Sequence, residues 1–153
     1  MNGEELDLRE QAIEQYTPDV EKLVRYLSWL KKQTAETATS YYDGEGKETL
    51  LQIPVFDSTL LNFVKEAEKT QFMTKNYPYV YSRFRIRSHE DEIRLMRTAN
   101  VKDIDIFKGI LSKYVLEGKR RPSAWRDAIA ENIFVTAVEC LDEIVLQKVF
   151  RQG

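Results

Sequence analysis

At 153 residues, with 42% hydrophobic and 31% charged side chains, the chain can bury a core of its own and is not a disordered tail. A net charge of −2 gives no general pull toward nucleic acid or an anionic membrane, and no run of about 18 apolar residues offers a membrane span. The single cysteine, Cys140, excludes an internal disulfide and fits a cytoplasmic protein.

Charge is unevenly spread. Residues 1–22 hold Glu4, Glu5, Asp7, Glu10, Glu14, Asp19 and Glu21 against Arg9 and Lys22, a net of −5 that leaves +3 for the rest. This acidic start has no apolar run, so it does not read as a signal peptide. An acidic end and a basic middle can attract each other within one molecule or between two.

Residues 4–15 predict a short helix carrying Leu6 and Ile13, and 1–16 are expected to be peripheral to a single domain spanning 1–153. Thr17-Pro18-Asp19 is a start signal: Thr17 can cap, Pro18 suits the first helical position and Asp19 favours the positive end of the dipole. Val20, Leu23, Val24, Leu27 and Leu30 follow at helical spacing, predicting a helix over 18–38 whose apolar face Tyr26 and Trp29 widen. Asp43-Gly44-Glu45-Gly46 reads as a turn. Thr49–Phe56 is short and apolar with Pro54 inside it, which restricts it to an edge strand or an extended linker. Asp57 caps a helix over 58–72 with Leu60, Leu61, Phe63, Val64 and Ala67 on its face.

Between Glu68 and Glu90 lie 21 residues without an acid. They include Lys69, Lys75, Arg83, Arg85 and Arg87, with the aromatics Phe72, Tyr77, Tyr79, Tyr81 and Phe84 among them. Residues 77–87 fit a strand at period two and a helix at period 3.6. Helix or irregular structure is preferred because the rest of the chain reads as helical, and Pro78 can open a helix; the alternative pairs 79–86 with 49–55. Ser88 with Asp91 resembles a capping box, and Glu90 is spaced to pair with Arg94. Helices are predicted over 89–99, 104–117 (capped by Asp103, stopped by Gly118) and 124–150, the last bent near Asn132.

Ile110-Leu-Ser-Lys-Tyr-Val115, Gly118, Trp125 and Ile133-Phe134, within residues 100–145, resemble the pattern of a family of small bacterial helical proteins of unknown function. The resemblance implies a helical fold and brings no activity or site residue with it.

Chemistry-bearing motifs are scarce. His89 and Glu92 could face one ion at i, i+3, but two ligands are too few for a zinc site, and the plainer reading is a solvated histidine. Cys140 lies on an apolar stripe and reads as a small hydrophobe. The acids of Glu90-Asp91-Glu92 and of Asp103 and Asp105 suit helix starts rather than magnesium. No phosphate-binding glycine loop, nucleophile elbow or CxxC pair is present. No catalytic residue, metal or cofactor is therefore assigned.

The expected fold is mainly α, a compact array of five or six helices with room for a small two-stranded pair. The expected function is a non-enzymatic cytoplasmic module that self-associates or binds a protein. Its candidate surface is Tyr79, Tyr81, Arg83, Arg85 and Arg87, extended by Lys119, Arg120, Arg121, Trp125 and Arg126. Two alternatives stand beside it: a nucleic-acid-associated protein using the same basic and aromatic residues, and an enzyme with a carboxylate-based site.

Overall fold

The computed structural model describes residues 3–42 and 53–147, with the side chains of 8–38 and 56–146. The protein is mainly α, as its periodicity predicts. The long segments are α1 (Gly3–Val24), α4 (Ser58–Glu68), α6 (His89–Thr98), α7 (Ile104–Gly118) and α9 (Ile133–Leu141). Shorter ones join them: α2 (Leu27–Leu30), α3 (Ala35–Ala38), α5 (Tyr77–Arg83) and α8 (Ser123–Ala130). A 3-10 turn, Val101–Asp103, precedes α7, and a π-helical turn, Asp142–Gln147, follows α9.

The first helical boundaries differ from the sequence reading. Pro18 lies inside α1 instead of opening a helix. Its missing N–H takes one bond from the ladder. Thr17 does not cap; its hydroxyl donates back to the Ile13 carbonyl at 2.6 Å, which satisfies it within a continuing helix. The predicted 18–38 helix is instead three pieces. Its second break has a local cause: Thr34 and Thr37 exchange side-chain and backbone hydrogen bonds (Thr34 N–H to Thr37 Oγ1, 2.8 Å; Thr37 N–H to Thr34 Oγ1, 3.3 Å), restarting the chain as α3.

A two-stranded antiparallel pair is present, with a partner other than the one considered. β1 (Thr39–Tyr42) pairs with β2 (Ile53–Phe56), placing Thr39 opposite Phe56 and Tyr41 opposite Pro54. Residues 79–86 are not in the pair, because Tyr77–Arg83 is helical with Pro78 in its first turn. The predicted turn at Asp43–Gly46 lies outside the described residues.

Other caps follow their residues. Asp57 Oδ1 accepts from Thr59 N–H at 2.7 Å and starts α4, and Ser88 Oγ accepts from Asp91 N–H at 3.1 Å and starts α6. Asp103 serves the 3-10 turn rather than α7, accepting from Asn100 N–H at 3.1 Å. Asn132, at φ 59°, makes the bend between α8 and α9 with a residue that tolerates the left-handed region.

One cluster of buried side chains forms the core. Phe63 and Phe134 meet at 5.0 Å between centroids, Tyr16 stacks on Phe72 at 5.3 Å, and Leu111 and Val115 carry α7 into the same cluster. Cys140 is buried there, and that burial pushes its thiol up, away from nucleophilic character. Both tryptophans are only partly covered. Trp125 donates its Nε1–H to the Val115 carbonyl at 3.3 Å and sets its ring edge-on to Phe56. Gly118 belongs to that contact: it lies inside α7 without a left-handed φ, and a Cβ there would overlap the Trp125 indole.

Candidate functional site

Helix α5 lies along α7 with the chains running in opposite directions. Tyr77 at its start donates to Glu117 at 3.2 Å, Val80 in its middle faces Gly109, and Arg83 at its end pairs with Asp105 at 3.6 Å. Only a glycine permits this approach, because a Cβ on Gly109 would overlap Val80. The loop before α5 is held by Ser112, which is fully buried. Its hydroxyl donates to the Phe72 carbonyl at 3.0 Å and accepts from Thr74 N–H at 2.8 Å.

The buried groove between α5, α6 and α7 is closed by Glu92, which is 2% exposed. Tyr114 Oη donates to its Oε1 at 2.7 Å, and the Tyr81 hydroxyl donates to Oε2. His89 Nδ1 lies 2.9 Å from Oε1 and 3.1 Å from Tyr114 Oη. The Nδ1 tautomer of His89 would donate from this position to the carboxyl oxygen. Lys113 Nζ stands 4.0 Å from Oε2 and lies over the rings of Tyr81 and Tyr114 at 4.8 and 5.2 Å. Burial, and then the Glu92 carboxylate, raise both tyrosine hydroxyls well above their ordinary range.

A carboxylate that orients a histidine is a geometry used in general-base chemistry. Here it ties three helices together. The clefts of about 200 Å³ at Leu8, Arg9, Ala12, Val101 and Lys102, and of about 340 Å³ at Glu117, Arg120 and Arg121, include none of the five cluster residues. Among the described residues no three of His, Cys, Asp and Glu gather to hold a metal ion.

The sequence reading of His89 and Glu92 as a solvated helix start needs correcting for Glu92. The three acids of that run have three roles: Glu90 is exposed, Asp91 takes the Arg87 N–H and the Arg94 side chain, and Glu92 turns inward four residues before the buried Met96. Arg94 therefore pairs with Asp91 rather than Glu90. The backbone bond from Arg87, then Arg94, holds the Asp91 carboxyl below its usual range. The signal for Glu92 was its spacing to Met96; its partners Tyr81 and Tyr114 lie on other helices and left none.

The candidate surface residues fall in two groups at opposite ends of α7, which is about 21 Å long at 1.5 Å per residue. At one end, Tyr79 is 58% exposed one helical turn before Arg83. Arg85 and Arg87 follow, both exposed and without an ion pair to any described residue. Arg83 also lies over the Phe84 ring at 5.0 Å. Arg85 adopts φ 54°, closing α5 as Ile86 N–H bonds back to the Tyr81 carbonyl at 2.9 Å. Tyr81 turns the other way, into the Glu92 cluster. At the far end, Lys119 pairs with Glu68 at 3.3 Å, Arg126 lies 3.6 Å from Glu36, Arg120 and Arg121 flank Glu117, and Trp125 packs against Val115 and Phe56. The Arg83–Arg87 guanidiniums form no ion pair with the described acids of α1: Arg83 goes to Asp105, and Asp19 is buried, accepting from Gln71 N–H at 2.9 Å.

No helix among the described residues is long and apolar enough to cross a membrane. The chain matches no protein-family model, no curated protein and no solved structure, so its site is argued from its own residues alone.

Proposed function

We propose that this protein is a non-enzymatic cytoplasmic interaction module whose contact surface is the corner at the end of α5, and that it takes an acidic protein segment. The observation that supports this is Tyr79, a large ring 58% exposed one helical turn before Arg83, followed by the exposed Arg85 and Arg87, which form no ion pair with any described residue. Tyrosine and arginine are the side chains that most often anchor protein contacts, since both bury area and hydrogen-bond at once. The Glu92 cluster sits directly beneath and fixes the helix that carries them. A free, buried Cys140 accords with a reducing compartment.

A second reading draws on the same corner, with guanidiniums on phosphates and Tyr79 stacked on a base. The negative net charge weighs against it. Fluorescence anisotropy with a labelled glutamate-rich peptide and with single- and double-stranded nucleic acid probes separates the two. The proposal expects salt-sensitive peptide binding, lost when Arg83, Arg85 and Arg87 become Ala in a folded protein. Nucleic acid binding tighter than about micromolar near physiological salt contradicts it, because non-specific phosphate contacts alone bind no tighter than that.

A further inference from the structure

The acidic segment that this corner would meet is present in the chain itself. Glu10, Glu14 and Glu21 of α1 are exposed and form no ion pair with any described residue. At 100° per residue they fall within about 40° of one another, a line of carboxylates about 16 Å long on the solvent side of the helix. The opposite flank of α1 carries Leu8, 65% exposed, which with Tyr79 makes the two most exposed large apolar side chains among the described residues. Within one molecule the acids and the arginines do not meet: α1 packs on α4, α9 and the turn at Val101–Asp103, while α5 packs on α7. Two unpaired surfaces of opposite sign on a chain of net charge −2 are satisfied together when one molecule meets another.

We infer that the α5 corner of one copy docks on the Glu10–Glu14–Glu21 face of a second copy. A two-fold axis makes the contact reciprocal, so each corner covers the other copy's α1 and the assembly closes as a dimer. This rests on the reading of the corner as an interaction surface. The contact is chiefly between exposed charges, so it is screened by salt.

Sedimentation equilibrium of the full chain tests it. Wild type is expected to dimerise at about 0.05 M salt and to weaken at least roughly tenfold at about 0.5 M, where the screening length falls from about 14 Å to about 4 Å. Arg85→Glu/Arg87→Glu and Glu10→Lys/Glu14→Lys should each be monomeric and folded by circular dichroism. Their equimolar mixture should dimerise again, since each then offers the sign that the other lacks. Wild type that stays monomeric at low salt overturns the inference, as do variants that dimerise as wild type does. If wild type is monomeric yet binds the glutamate-rich peptide through Arg85 and Arg87, the second copy is the wrong partner and the interaction surface stands. If neither copy nor peptide binds, both fall.

Discussion

Arg85 occupies a backbone region that costs a residue with a Cβ about 1 kcal/mol or more, at the position where a helix end usually places glycine. The fold would be better served by the smaller residue. Arg85→Gly should therefore stabilise the protein by about 0.5–1 kcal/mol in urea unfolding, and an arginine kept against that preference points to use of its side chain. Tyr81 makes the opposite case. Tyr81→Phe removes a donor from a buried carboxylate and should cost about 1.5–3 kcal/mol. The pH dependence follows from the same bonds. Tyr81 and Tyr114 have raised pKa values in the fold, so the stability they supply is fully present below the unfolded value of about 10 and is lost as pH rises above it. A spectrophotometric titration should show two of the eight tyrosines ionising only as the protein unfolds.

At the scale of elements, what was legible was whatever local chemistry decides. Asp57 and Ser88 announce α4 and α6 by caps, and the apolar spacing of Phe107, Leu111 and Val115 announces α7. Leu111→Ala should cost about 2–5 kcal/mol, since it empties a fully buried position. What was not legible depends on partners distant in sequence. Residues 39–42, Thr-Ser-Tyr-Tyr, lack the alternation that would mark a strand, and only pairing with Ile53–Phe56 makes them one. Gly118 read as a helix stop because its role depends on Trp125 packing over it. Gly109 likewise allows α5 to reach α7, and Gly109→Ala should cost about 1–3 kcal/mol by driving Val80 away. The Glu92 cluster is not legible in the sequence for the same reason: three consecutive acids at a helix start all suit its dipole, and only the tyrosines of α5 and α7 single out the one that α6 turns inward.

Across the whole molecule, charge separates into surfaces that the fold itself does not bring together. The basic residues of the candidate surface fall into one end that is largely paired internally, at Lys119 and Arg126, and another at Arg85 and Arg87 that pairs with no described residue. Of Arg83, Arg85 and Arg87, Arg83 alone balances a described acid, through an exposed pair with Asp105 worth at most about 1 kcal/mol. Under the proposed function this corner is kept for a partner and not for the fold. Urea unfolding of the Arg83→Ala/Arg85→Ala/Arg87→Ala variant measures that directly. A stability within about 1 kcal/mol of wild type is the predicted result, as for exposed side chains without buried partners. A loss greater than about 2 kcal/mol would contradict it, by showing that these arginines hold the structure together.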